Sequence, residues 1–145
     1  MEPRQGFTLI ELLLTLGIVV ILAAIVIVAI NPASQFALAR NTQRWAHVNI
    51  IANAVVQNIG DNRGAFTCGG APTSLPTSTK QMGSGAGNFN IAPCLVPVYT
   101  ATMPLDPVGG TSTAVGYTIL YDAVAKRVTI SAPNAELDKV ISVTQ

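Results

Sequence analysis

Few side chains in this 145-residue sequence are suited to chemistry, and they are unevenly placed. Glu11 is the only charge in the 24 residues from Phe7 to Ile30, FTLIELLLTLGIVVILAAIVIVAI. A carboxylate in such a setting costs roughly 2.5 to 3.5 kcal/mol at the centre of a bilayer and less toward its edge, so it calls for a partner. The run holds no Lys, Arg or His. Cutting the chain after Gly6 would create an α-amine on Phe7, four residues before Glu11 and on the same face of a helix. That amine can pair with its own Glu11 or with the Glu11 of a packed neighbour. The alternative is a carboxyl that is protonated in lipid or snorkels from the end of the run.

The remaining reactive types are sparse. Cys68 and Cys94, with 25 residues between them, are the two cysteines, and His47 is the single histidine. Two distant thiols and one histidine make a poor zinc site, whereas outside the cytoplasm an even pair flanking a long loop argues for a disulfide. Such a bond is worth about 3 to 4 kcal/mol by loop closure, and two buried free thiols are the alternative. No nucleophile elbow, phosphate-binding loop, dinucleotide glycine pattern or H-E-x-x-H is present, and the only triad base available, His47, falls on the polar side of an expected helix. The sequence therefore predicts no enzyme. With 8 Lys+Arg against 7 Asp+Glu and a net charge of +1, it also lacks the basic stripe of a nucleic-acid binder.

These residues need elements to hold them. Hydrophobic residues make up 50% of the chain and aromatics only 6%, an aliphatic excess concentrated near the N-terminus. As a helix, residues 7–30 would be about 36 Å long, enough to span a membrane with some tilt. A cleaved secretory signal is disfavoured by the length of the run, by its carboxylate and by the absence of an A-x-A site. Pro32 should kink or melt the helix near residues 28–32, with Gly17 as the other candidate. Ser34 is the expected N-cap of a second, amphipathic stretch and Gly60 its stop. Between them Trp45, Val48, Ile51, Ala52, Val55 and Ile59 draw one apolar stripe, while Arg40, Asn41, Arg44, His47, Gln57 and Asn58 form the polar surface. Trp45 reads as core, with a contact between subunits as the alternative.

Nine of the twelve glycines and six of the nine prolines lie between Gly60 and Thr113, which predicts loops. Beyond them GYTILYDA and KRVTISAP alternate in period two, so that Tyr117, Ile119 and Tyr121 share one face, as do Val128 and Ile130, with Asp122 to Lys126 as the hairpin connection. KVISVTQ, centred on Val140 to Val143, reads as a third strand. Helix, loops and then a small antiparallel sheet make an α+β fold.

MEPRQGFTLIELLLTLGIVVILAAIV resembles the class III signal of type IV prepilins and pseudopilins. The resemblance implies a leader at 1–6, cleavage by a prepilin peptidase between Gly6 and Phe7, and N-methylation of Phe7. By the same resemblance Glu11 neutralises the N-terminal amine of an adjacent subunit during assembly. A buried amine and a buried carboxylate are each costly alone, so the pair would check axial register. The implied protein is a single-pass precursor of the inner membrane with its head outside the cytoplasm. An assembly platform in that membrane then polymerises it into a homo-oligomeric filament. The layout would be a membrane and filament-core helix at 7–30, an amphipathic helix at 31–60, and a pilin-like head at 61–145 in which the helix packs on the sheet.

Many type IVa pilins carry a helix-breaking proline where this sequence has Val28. Pro104-Leu105-Asp106-Pro107 resembles the loop before the sheet in major pseudopilins, several of which bind calcium there. That makes Asp106 a candidate calcium ligand, with Asp122 as the other nearby carboxylate, against the alternative of a rigid turn in which Asp106 satisfies local N–H groups. This segment and the compact head point to a pseudopilin of a secretion or DNA-uptake system, and the Cys68 to Cys94 loop points to a pilus. Arg4 and the amine before the run balance Arg40 and Arg44 after it, so the N-in orientation rests on the resemblance. A membrane-anchored binding module that never polymerises is the competing class.

Overall fold

The computed structural model describes residues 6–145; Met1 to Gln5, most of the expected leader, lie outside them. The chain divides into two units after Phe36. In the first, α1 (Leu9–Ile30) has no buried residue, and its 22 residues give a rod about 33 Å long. Thr8 starts it: its backbone is extended and its hydroxyl accepts the Glu11 N–H at 3.3 Å. The hydroxyl of Thr15, the other polar side chain of the run, donates to the Leu12 carbonyl at 2.9 Å.

The helix continues through Gly17 and breaks at Asn31, whose φ of 48° is left-handed. Asparagine tolerates that conformation, and Pro32 supplies no N–H to the Val28 carbonyl while its fixed φ suits a first helical position. The expected interruption thus lies at Asn31 and Pro32, where α2 (Pro32–Asp61) begins. Ser34 is inside α2 and not its cap: Ser34 and Gln35 donate their N–H groups to the Asn31 carbonyl. The helix also runs past Gly60. It is closed by a left-handed Arg63 and by the Gly64 N–H on the Ile59 carbonyl at 2.8 Å.

In the second unit, residues 37–145, one face of α2 packs on a sheet. Val48, Ile51, Ala52, Ala54 and Val55 are buried against Tyr117, Ile119, Val128, Ile130 and Ile141. The antiparallel sheet has the order β3 (Lys80–Gln81), β4 (Thr118–Asp122), β5 (Arg127–Ser131), β6 (Ser142–Thr144). Ile119 pairs with Ile130 and Tyr121 with Val128, so the alternating apolar residues of both strands fall on one face of the sheet. Asp122 closes the hairpin with Arg127 and accepts the N–H groups of Ala125 and Val124, which hold its carboxyl below the usual range.

β6 is shorter than expected, with Val140 exposed outside it. β3, a two-residue hairpin of β1 (Thr67–Cys68) with β2 (Ala71–Pro72), and a single helical turn, α3 (Ala92–Leu95), emerge from the glycine-rich loops. Cys68 and Cys94 form a disulfide that fastens β1 to α3. Asn58 reinforces the junction: its amide accepts the Thr67 N–H at 2.8 Å and donates to the Thr67 and Cys94 carbonyls.

Loops with so little regular structure depend on that covalent link. Replacing Cys68 and Cys94 with serine should lower the stability of the folded unit by about 3 to 4 kcal/mol, seen as a loss of about 15 °C in the thermal unfolding of the micelle-solubilised chain. An unchanged midpoint would show the disulfide to be energetically idle.

Candidate functional site

The segment with the processing signature is built around the start of α1. Gly6 and Phe7 precede the helix, outside any regular element, and both are exposed, Phe7 to 82%. Thr8 is the N-cap and Glu11 sits at the third helical position, the T-x-x-E spacing of a capping box. The positive end of the helix favours a carboxylate there. The same-face argument for Phe7 and Glu11 does not carry over to this geometry, because Phe7 lies outside the helix. The capping signal was present in the spacing of Thr8 and Glu11 but was masked by the apolar residues around it.

The second concentration of chemistry is a charge network in which Arg44 and Asp106 are buried and Arg40 and Glu136 are partly exposed. Arg44 is 1% exposed. Its guanidinium grips Asp106 through Nε to Oδ2 at 2.8 Å and Nη2 to Oδ1 at 3.2 Å, and reaches Glu136 Oε2 through Nη1 at 2.9 Å. Arg40 donates to both Glu136 oxygens at 2.7 Å. Asn41 completes the set, accepting from Arg44 Nη1 and the Glu136 N–H and donating to the Glu136 carbonyl. Two positive and two negative charges balance, and no buried side-chain nitrogen or oxygen among the described residues lacks a partner.

These contacts shift titrations in the expected directions. Arg40 and Arg44 hold their protons more tightly than usual, chiefly through hydrogen bonds to Glu136 and Asp106 respectively. Hydrogen bonds from Arg40, then from Arg44, bring Glu136 down to about 2. Burial raises Tyr117, and the charge of Asp106 adds to the effect. The Tyr117 hydroxyl meets His47 Nδ1 at 2.8 Å, so His47 is half-buried against the sheet instead of freely solvated.

Asn41, Arg44 and Asn58, expected on the polar surface, are buried, and Trp45, expected in the core, is 43% exposed. Counting back from Val48 by four reaches Arg44 and by three reaches Trp45. Helical spacing permits either, and hydropathy chooses the wrong one. What decides it is Asp106 and Glu136, 62 and 92 residues further on.

Asp106 is a poor fit to calcium. Both of its oxygens face Arg44, and Oδ1 also accepts the Val108 N–H at 2.9 Å. Asp122 spends its carboxylate on its own hairpin, and no group of three or more His, Cys, Asp or Glu among the described residues converges on a metal position. The geometry matches the rigid-turn alternative. Gly116, with a φ of 90°, lies against Asp106 so closely that a β-carbon there would strike its side chain.

Residues 1–27 match the family described as the prokaryotic N-terminal methylation motif. No curated protein and no solved structure matches the chain. The chain thus carries the prepilin-type signal of type IV pilins and pseudopilins, which implies processing by a prepilin peptidase and polymerisation in a membrane assembly system. With α1 long and apolar enough to cross a bilayer, it describes a membrane-anchored precursor with a structural role.

Arg44→Met leaves Asp106 buried without its counter-charge and should cost about 3 to 5 kcal/mol. The double variant Arg44→Met, Asp106→Leu should recover most of that loss in chemical denaturation. In acid, the unfolded chain protonates Glu136 near 4.5 and the folded one near 2. The stability held by this group is therefore complete above 4.5 and lost as the pH falls toward 2. Glu136→Gln should flatten that part of the pH-stability curve, and an unaltered slope would assign the acid sensitivity to other carboxylates.

Proposed function

We propose that this chain is a structural subunit of a type IV pilus-like filament, made as a membrane-anchored prepilin. A prepilin peptidase cuts between Gly6 and Phe7 and methylates Phe7. An inner-membrane assembly platform then draws the chain into a homo-oligomeric filament through α1. The observation that carries this reading is the sequence of features at one end of α1: an exposed, non-helical Gly6–Phe7 bond, a capped helix start, Glu11 in the first turn, and then a helix with every face unburied.

The physical logic is mutual neutralisation. Once the chain is cut, the amine at Phe7 and the carboxylate at Glu11 both enter an apolar filament core. Since Phe7 precedes the helix, the reading pairs its amine with Glu11 of the neighbouring subunit, and only a correctly staggered neighbour satisfies both charges. The head, held outside the cytoplasm, is compatible with an oxidised Cys68–Cys94 bond. That closed loop favours a surface pilus over the pseudopilus of a secretion or DNA-uptake system, which would use the same N-terminal device. The reading requires no cofactor.

Coexpression with a prepilin peptidase should yield a mature chain that begins at N-methylated Phe7, identified by intact mass and N-terminal sequencing. Glu11→Ala should reduce filament incorporation by about tenfold or more, an unpaired buried charge being worth at least the corresponding 1.4 kcal/mol, while processing and protein level stay normal. An uncut chain beside an active peptidase would instead identify a permanently anchored binding module.

A further inference from the structure

A cavity of about 690 Å3 opens in the second unit between the end of α2, the loop after β2 and the β4–β5 hairpin. Its volume falls in the range of small-molecule sites. Phe66 and Leu75 are buried in its wall, Ile59 and Tyr121 are half-buried beside them, and Arg63 and Lys126 bring two cations to its lining. The walls are braced. The Thr73 N–H donates to the Phe66 carbonyl and the Tyr121 N–H to the Pro76 carbonyl, both at 2.8 Å, which fixes the loop to β1's approach and to the sheet.

The two cations are the unusual feature. Arg63 has a φ of 56° and Lys126 a φ of 54°, the left-handed conformation in which glycine or asparagine is the ordinary occupant. Each of these turns instead carries a long cationic side chain, and both line the same cavity. Among the described residues neither makes an ion pair, in contrast to Arg40 and Arg44, which are fully engaged. No carboxylate lines the cavity to neutralise them.

We propose that this cavity binds a small organic anion with an apolar or aromatic body. The ring or chain lies against Phe66, Leu75, Ile59 and Tyr121, and the anionic group faces Arg63 and Lys126. An arginine offers a planar fork to a carboxylate or phosphate, and a lysine adds a point charge. A neutral apolar ligand would leave both cations unanswered, and an inorganic anion would leave the apolar wall wet.

The test uses the full chain, isotope-labelled and held in detergent micelles, titrated with 1-naphthoate or with uncharged 1-naphthalenemethanol while amide resonances are followed. The acid should produce saturable shifts at Gly64, Ala65, Thr73, Tyr121 and Lys126. The alcohol should bind about tenfold more weakly or worse, as should the acid to the Arg63→Gln, Lys126→Gln variant, a tenfold loss being about 1.4 kcal/mol shared between two exposed charges. Both replaced side chains are exposed, and among the described residues neither makes an ion pair; retained resonance dispersion elsewhere confirms that the variant is folded. Equal binding of acid and alcohol, affinity unchanged in the folded variant, or no saturable shift at these amides up to the solubility limit would each overturn the proposal.

Discussion

Burying the Arg44 guanidinium is the constraint on which the rest of the second unit depends. A cation removed from water must meet its counter-charges in fixed geometry, because the desolvation penalty is recovered only if its donors are satisfied. Arg44 finds Asp106 in the loop ahead of β4 and Glu136 in the loop ahead of β6. Those loops have few ladder hydrogen bonds of their own, so one helical side chain sets the position of two irregular segments. Arg40 and Asn41 then share the Glu136 carboxylate and backbone, and the close approach at Gly116 follows from where Asp106 has to sit. Such a network adds less net stability than an apolar core of the same volume. Its effect is to make one loop arrangement distinctly better than the others.

The opposite end of the same helix uses a different device for the same task. Asn58 satisfies backbone groups of β1 and α3, and the disulfide fastens those two elements covalently. Between these polar clamps lies the apolar stretch of α2 on the sheet. The helix therefore works as a spine whose middle is held by dispersion and area burial and whose two ends orient loops through directed bonds.

What the sequence revealed follows the range of the forces involved. The α1 span, the break before Pro32 and the β4–β5 hairpin were legible because each depends on residues close in the chain: aliphatic content, a missing N–H, period-two alternation. The prepilin-type signal was equally legible, being contiguous from Gly6 to Glu11. The disulfide could be read as a pairing because only two cysteines exist. The identity of the buried face near Arg44 was not legible, since Trp45 and Arg44 satisfy the same helical spacing and only distant carboxylates distinguish them. β3 escaped for a related reason. Lys80 and Gln81 are both exposed, with no alternation, and are a strand only because Ile119 and Thr118 pair with them. The Thr8 cap was local and still went unread, overshadowed by the hydrophobic run it begins.

The Arg44 network also imposes an order in time. Glu136 lies 92 positions after Arg44, so during synthesis the guanidinium exists long before the carboxylate that completes its coordination. The α1 helix, whose hydrogen bonds are all short in sequence, has no such delay. A nascent chain thus acquires its lipid-compatible rod early, while the segment from Ala37 onward stays unsettled until nearly the last residues are released. The apolar rod is thus complete while the contacts that settle the later segment are still waiting for their partners.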